Sequence, residues 1–133
     1  MEAKLYIDGS SLGNPGPGGI GVICKGELEN VIFKLSKSAG IVTNNQAEYM
    51  AFIEGLKEAK RYNITNVSVF SDSQLLVYQM NDKYKVKNQG LFPYFQKAKE
   101  IVRDFDIIKI ELIRREENKE ADILANNGSR MGE

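Results

Sequence analysis

The stretch DGSSLGNPGPGG, Asp8 to Gly19, divides two patterns and sets how the rest of the chain is read. Just before it, Ala3 to Asp8 alternates apolar and polar residues as a half-buried strand does. The stretch from Gly9 to Gly19 is a turn by composition, because glycine and proline interrupt regular structure. Beyond it, Ile20 to Cys24 and Val31 to Leu35 read as two further strands joined by a polar turn around Gly26. Short connections between these strands predict an antiparallel meander.

The periodicity then changes. Thr43, Asn44 and Asn45 form a helix-start signal, since a short polar side chain can accept from the free amides of a first turn. Tyr49, Phe52, Ile53, Leu56 and Ala59 follow at helical spacing as one apolar stripe. Val67 to Phe70 is a short strand, Ser71 to Ser73 closes it, and Gln74 to about Met80 is a second helix. Asn81 to Gly90 is a polar loop, and Leu91, Tyr94, Phe95, Ala98, Val102 and Phe105 mark a third helix. Ile108, Ile110 and Leu112 alternate as a strand, and Ala121, Leu124 and Ala125 mark a last helix. The order βββ-α-β-α-α-β-α predicts an α/β fold: a five-stranded mixed sheet flanked by helices, in a single domain spanning 1–133. The helical crossover favours parallel pairing of the first and fourth strands.

Composition narrows the chemistry. The 133 residues are 42% hydrophobic and 27% charged, with 18 basic and 18 acidic side chains and a formal charge of zero. Any anion-binding surface must therefore be local, because the body is not basic. One cysteine excludes an internal disulfide and a cysteine-rich zinc site. The absence of histidine removes a Ser-His-Asp triad, an imidazole base and imidazole metal ligands. No stretch resembles an export signal, and no apolar run approaches the ~20 residues that cross a bilayer. A soluble cytoplasmic protein is the expectation.

Carboxylates are what remain. Asp8 ends the first strand and Asp72 follows the fourth, so parallel neighbours would release both at the same carboxyl edge of the sheet. Glu48 lies early in the first long helix near the rim of its apolar stripe, and Asp122 near the start of the last helix. Gathering such acids costs energy through like-charge repulsion unless cations neutralise them. Oxygen-only donors favour Mg²⁺ or Mn²⁺ over zinc or copper. Two such ions about 4 Å apart form the arrangement used in phosphodiester cleavage. Taken singly, each acid also suits an ordinary helix cap or dipole partner.

Four segments, in order, resemble type 1 ribonuclease H: DGSSLGNPGPGG at Asp8 to Gly19, TNNQAE at Thr43 to Glu48, SDSQ at Ser71 to Gln74, and REENKEAD at Arg115 to Asp122, followed by ILAN. The resemblance implies a ribonuclease H-like fold and endonucleolytic hydrolysis of the RNA strand of an RNA–DNA hybrid. It implies two Mg²⁺ ions, with Mn²⁺ able to substitute, and products with 5′-phosphate and 3′-hydroxyl ends. By position, Asp8, Glu48, Asp72 and Asp122 carry over as catalytic metal-binding acids, and Glu48 would also accept from the ribose 2′-OH. Asn14, Asn44, Asn45 and Gln74 resemble amides that meet the minor groove, where the 2′-OH separates RNA from DNA. For Asn14 a plain turn, and for Asn45 helix capping, are the competing readings. Thr43 resembles a residue that holds a DNA phosphate, with Asn81 expected to complete that pocket. Lys83, Lys85 and Lys87 alternate through the following loop and would add local positive charge against a duplex.

Departures from the family are specific. Ile41 stands where some members place an arginine before the threonine. Many relatives have a histidine in the loop before the last helix; here Arg115 occupies the matching loop and is expected to act on the scissile phosphate or on product release. The competing reading is an ion pair of Arg115 with Glu116 or Glu117. The chain has no tryptophan, and its loop is too short for the tryptophan-rich basic protrusion of well-known bacterial members. A compact stand-alone catalytic domain, monomeric and bound to no membrane, is the expected form, with double-stranded RNA left open as a second substrate. The rival readings are another acid-clustered nuclease core and a non-catalytic hybrid-binding module.

Overall fold

The computed structural model describes residues 2–132; Met1 and Glu133, the ends of the expected domain, lie outside the described residues. One five-stranded sheet has the order β3-β2-β1-β4-β5, formed by β1 (Glu2–Ser11), β2 (Gly16–Lys25), β3 (Val31–Val42), β4 (Asn66–Ser71) and β5 (Ile107–Leu112). The first three strands pair antiparallel, and β1–β4 and β4–β5 pair parallel. The helices are α1 (Asn44–Arg61), α2 (Gln74–Met80), α3 (Phe92–Val102) and α4 (Lys119–Met131), with a 3-10 turn at Arg115–Glu117. The expected mixed sheet and element order are therefore present.

Alternation along β1 places Leu5 and Ile7 on the face covered by α1, whose Tyr49, Phe52 and Leu56 are fully buried there. Asp8 and Ser10 lie on the opposite face, which α4 covers; the Ser10 hydroxyl donates to the Ala125 carbonyl at 3.3 Å. Thr43 starts α1 with a reciprocal cap: its Oγ1 accepts the Gln46 N–H at 3.1 Å and Gln46 Oε1 accepts the Thr43 N–H at 3.0 Å. Ser73 caps α2 by accepting the Leu76 N–H at 3.2 Å.

The glycine-rich stretch departs from its expected reading. Only residues 12–15 turn; β1 continues to Ser11 and β2 already begins at Gly16. Glycines of this stretch and of the strand after it serve packing. A Cβ on Gly21 would lie 2.2 Å from the Ala121 carbonyl oxygen and 2.5 Å from the Ala125 nitrogen, so α4 rests directly on the β2 backbone. A Cβ on Gly9 would lie 2.3 Å from the Ala47 carbonyl carbon, which seats α1 equally closely on β1. β3 also outruns its expected end at Leu35 and reaches Val42. Its polar continuation is an edge that pairs with the start of β2, Gly16 opposite Val42 and Ile20 opposite Lys37.

Candidate active site

Parallel pairing sets the first two acids side by side. Tyr6 is opposite Phe70, so Asp8 and Asp72, each two residues further on, lie side by side where β4 ends, although β1 does not end at Asp8 as expected and runs on to Ser11. Glu48 reaches the same point from α1, and its Oε1 accepts the Gly9 N–H at 2.5 Å. Carboxylate oxygens of Asp8, Glu48 and Asp72 lie within 4.8 Å of one another. Asp122, in the first turn of α4, and Arg115 line the same cleft, together with Ser10, Asn44 and Asn126. The structure thus gathers all four acids around one opening, from β1, the end of β4 and two helices.

Burial and mutual repulsion raise these carboxyls. Asp8 is 6% exposed, and its carboxyl is pushed up to about 8, first by burial and then by the charge of Asp72. Burial lifts Glu48 well above the ordinary range, reinforced by Asp8 and Asp72 and opposed by the Gly9 N–H. Asp72 is raised by burial, against the pull of the Arg115 charge and of the Asn118 amide. Such a group of acids binds protons or cations in preference to standing bare. The cluster contains oxygen donors only, so it fits a hard divalent cation such as Mg²⁺ or Mn²⁺ and not a soft metal.

Arg115 is exposed and forms no ion pair within 4.0 Å among the described residues. Its neighbour Arg114 takes both acids, Glu117 at 3.2 Å and Glu116 at 3.6 Å. The ion-pair reading therefore belongs to Arg114, and the Arg115 charge faces the cleft and Asp72.

The expected substrate contacts divide. Asn14 Oδ1 accepts the Asn44 N–H at 2.9 Å, which fastens the β1–β2 turn to the start of α1. Because Thr43 is the cap, the exposed side chains of Asn44 and Asn45 are not needed for capping. Gln74, first in α2, is exposed and borders the shallow surface that Asp72 and Arg115 also line. Asn81 stands elsewhere than expected: its amide donates to the Ile110 carbonyl at 2.9 Å, because it ends α2 against β5. The segment that meets the first turn of α1 is the far end of the loop. There Gln46 Nε2 donates to the Gly90 carbonyl at 3.2 Å, and Asn88 Oδ1 accepts the Leu91 N–H at 3.1 Å. Asn88 was legible as an amide three residues before a helical stripe, the same start signal that marks Thr43. Lys85 and Lys87 are exposed and without ion pairs within 4.0 Å among the described residues, while Lys83 lies 5.4 Å from the Tyr78 ring.

Sheet order and acid placement together define a ribonuclease H-like protein. Residues 6–128 match the family model described as "Reverse transcriptase-like". The "Bifunctional protein Rv2228c" of Mycobacterium tuberculosis is 37% identical over 128 residues, covering 96% of this chain and 35% of that protein. The ribonuclease HI of Halobacterium salinarum is 33% identical over 125 residues, covering 94% of this chain and 63% of that protein. The crystal structure of the halobacterial enzyme superposes with a TM-score of 0.95 over 98% of this chain and 99% of that chain. LC11-RNase H1, solved in complex with an RNA/DNA hybrid, is 36% identical, with a TM-score of 0.91 over 97% of each chain. The chain belongs to the type 1 ribonuclease H family. It spans about a third, 35%, of the length of the first curated relatives it matches.

Proposed function

We propose that this protein is an endoribonuclease that hydrolyses the RNA strand of RNA–DNA hybrids and leaves 5′-phosphate and 3′-hydroxyl ends. The observation that carries the reading is the meeting of Asp8, Glu48 and Asp72 within 4.8 Å, with Asp122 and Arg115 on the same cleft. The four acids would hold two divalent cations, Mg²⁺ in the cell and Mn²⁺ as a substitute. When bound, these ions neutralise the pocket and supply the activated water and leaving-group stabilisation of an in-line displacement.

The chain's own residues do the rest. The Gly9 N–H fixes one oxygen of Glu48 and leaves the other to accept the ribose 2′-OH. Arg115 offers a guanidinium, a donor-only cation that binds phosphate and cannot serve as a base. Asn14, Asn44, Asn45 and Gln74 present uncharged amides to the minor groove. The capped start of α1 at Thr43, the Asn88 segment against it, and Lys85 and Lys87 bind the phosphates of the DNA strand. The described chain has no helix long and apolar enough to cross a membrane. We place the protein in the cytoplasm, acting as a monomer.

Strand-labelled RNA–DNA hybrid, duplex RNA and duplex DNA, incubated with Mg²⁺, Mn²⁺ or EDTA, test the proposal. Metal-dependent cleavage of the RNA strand of the hybrid is expected. Cleavage confined to DNA, or persisting in EDTA, would refute it.

A further inference from the structure

Asn118 has no part in the proposed chemistry, yet it is bonded to three of the elements that meet at the cleft, β1, the 3-10 turn and α4. It lies between the 3-10 turn and α4, three residues after Arg115 and four before Asp122. It is 1% exposed, and its Nδ2 donates at 2.8 Å to the carbonyl of Ile7, the peptide that leads into Asp8. Its backbone N–H donates to the Arg115 carbonyl at 3.0 Å, and its own carbonyl accepts the Asp122 N–H at 3.1 Å. The side-chain amide also draws the Asp72 carboxyl downward against burial.

Two details set this asparagine apart from an ordinary helix start. It makes no side-chain cap bond to α4, although it occupies the capping position. Its buried Oδ1 has no hydrogen-bond partner, which leaves the side chain with a desolvation cost that local helix initiation does not offset. Exchanging the amide nitrogen and oxygen would set Oδ1 against the Ile7 carbonyl, so that acceptor fixes the orientation. What the side chain retains is a nitrogen with two donors, one spent on β1 and the other available to Asp72.

We propose that Asn118 is a positioning residue for the acid pocket, its amide tying β1 at Ile7 to the start of α4 so that Asp8, Asp72 and Asp122 converge at the spacing a divalent cation requires. The inference rests on the cation-dependent reading above. An amide suits the task because it donates twice without charge. Lysine or arginine would neutralise the acids and compete with the cation, and serine donates only once.

The test uses Asn118→Ala, Asn118→Ser and Asn118→Asp, the last keeping the shape but losing both donors. Mg²⁺ binding to each protein alone is measured by calorimetry. Melting in EDTA is followed by circular dichroism, and kcat and KM on hybrid are measured over a Mg²⁺ series. Folded variants are expected to bind Mg²⁺ about tenfold more weakly or worse, as when the outer partner of a metal ligand is removed. Turnover should fall in parallel, with the hybrid KM within about twofold of the parent, because no substrate contact is lost. Should Asn118→Ala fail to fold, Asn118→Ser decides. A folded variant with parental Mg²⁺ affinity and kcat would reduce Asn118 to a packing residue and overturn the proposal. A parent protein that binds Mg²⁺ without cleaving hybrid would instead overturn the substrate reading and leave the calorimetric comparison standing. A parent that binds no Mg²⁺ would overturn both.

Discussion

Replacing Asp8 by Asn removes one charge from the pocket while keeping its shape, and the effect on stability has a definite sign. Burial and Asp72 hold the Asp8 carboxyl at about 8 in the folded protein, against an ordinary 3.8. Between those values the folded state keeps a proton that the unfolded chain has released. Stability is therefore fully present below about pH 4 and declines as pH rises towards 8, at up to about 1.4 kcal/mol per pH unit. Over that window the burden reaches about 5 kcal/mol at its upper limit, a large share of the stability of a small domain. Asp8→Asn carries no such burden. In EDTA at pH 8 the variant should melt above the parent, by about 10 °C if even 3 kcal/mol is recovered. At pH 4 the two should melt together. Added Mg²⁺ should narrow the gap at pH 8, because the cation stabilises the parent by mass action and binds the variant less well. Thermal melts by circular dichroism at pH 4, 6 and 8, with and without Mg²⁺, measure all three effects. A variant that melts at or below the parent in EDTA at pH 8, or differs from it by the same margin at every pH, would refute the idea that burial and the Asp72 charge raise this carboxyl.

Asp72→Asn should abolish Mg²⁺-dependent cleavage of labelled hybrid while leaving the far-ultraviolet dichroism unchanged; undiminished cleavage would remove Asp72 from the mechanism. Arg115→Ala should slow turnover but leave measurable cleavage, because its charge assists and does not supply the base; full activity in single-turnover assays would make it a bystander. Gly21→Ala forces a Cβ to 2.2 Å from the Ala121 carbonyl, so it should cost about 1–3 kcal/mol in denaturant unfolding and lower kcat by displacing Asp122. The double change Lys85→Ala with Lys87→Ala should weaken hybrid binding and reduce the slope of log affinity against log salt by about 1–2, with kcat preserved; an unchanged slope would free the loop of any phosphate role.

What the sequence made legible follows periodicity. Ala3 to Asp8 alternates because β1 is central and one of its faces packs on α1, and the stripe of Tyr49, Phe52 and Leu56 is the matching helical face. Adjacent parallel strands then explain why Asp8 and Asp72 emerge together. The glycines from Gly16 to Gly19 misled, because the same residue type permits a turn and a close approach. The partner of Gly19, α4, lies about a hundred residues further along the chain, where no local pattern announces it. The continuation of β3 past Leu35 was hidden because it lies at the sheet edge, mostly exposed and polar. Neighbouring arginines were equally unresolvable: only the 3-10 turn decides that Arg114 meets the glutamates and Arg115 the cleft. Asn81 and Asn88 are alike in type; the helix-start position of Asn88 separates them in the sequence, and the docking of Gly90 on Gln46 shows which one lies by α1.

The acids converge because side chains are missing around them. Glu48 arrives from a helix on one face of the sheet and Asp122 from a helix on the other, while Asp8 belongs to the strand between them. Helices packed at ordinary distance on both faces would hold their carboxylates too far from Asp8 to share one cleft with it. At Gly9 the backbone of α1 occupies the space of a Cβ, and at Gly19 and Gly21 the backbone of α4 does the same. The missing methyl groups bring both helices inward at one end of β1, where the Gly9 N–H can hold Glu48 and where Asn118 can reach Ile7. The stretch that resembles a loop in the sequence therefore carries two duties. It turns the chain from β1 into β2 a few residues beyond Asp8, and it clears the room that lets the other acids approach.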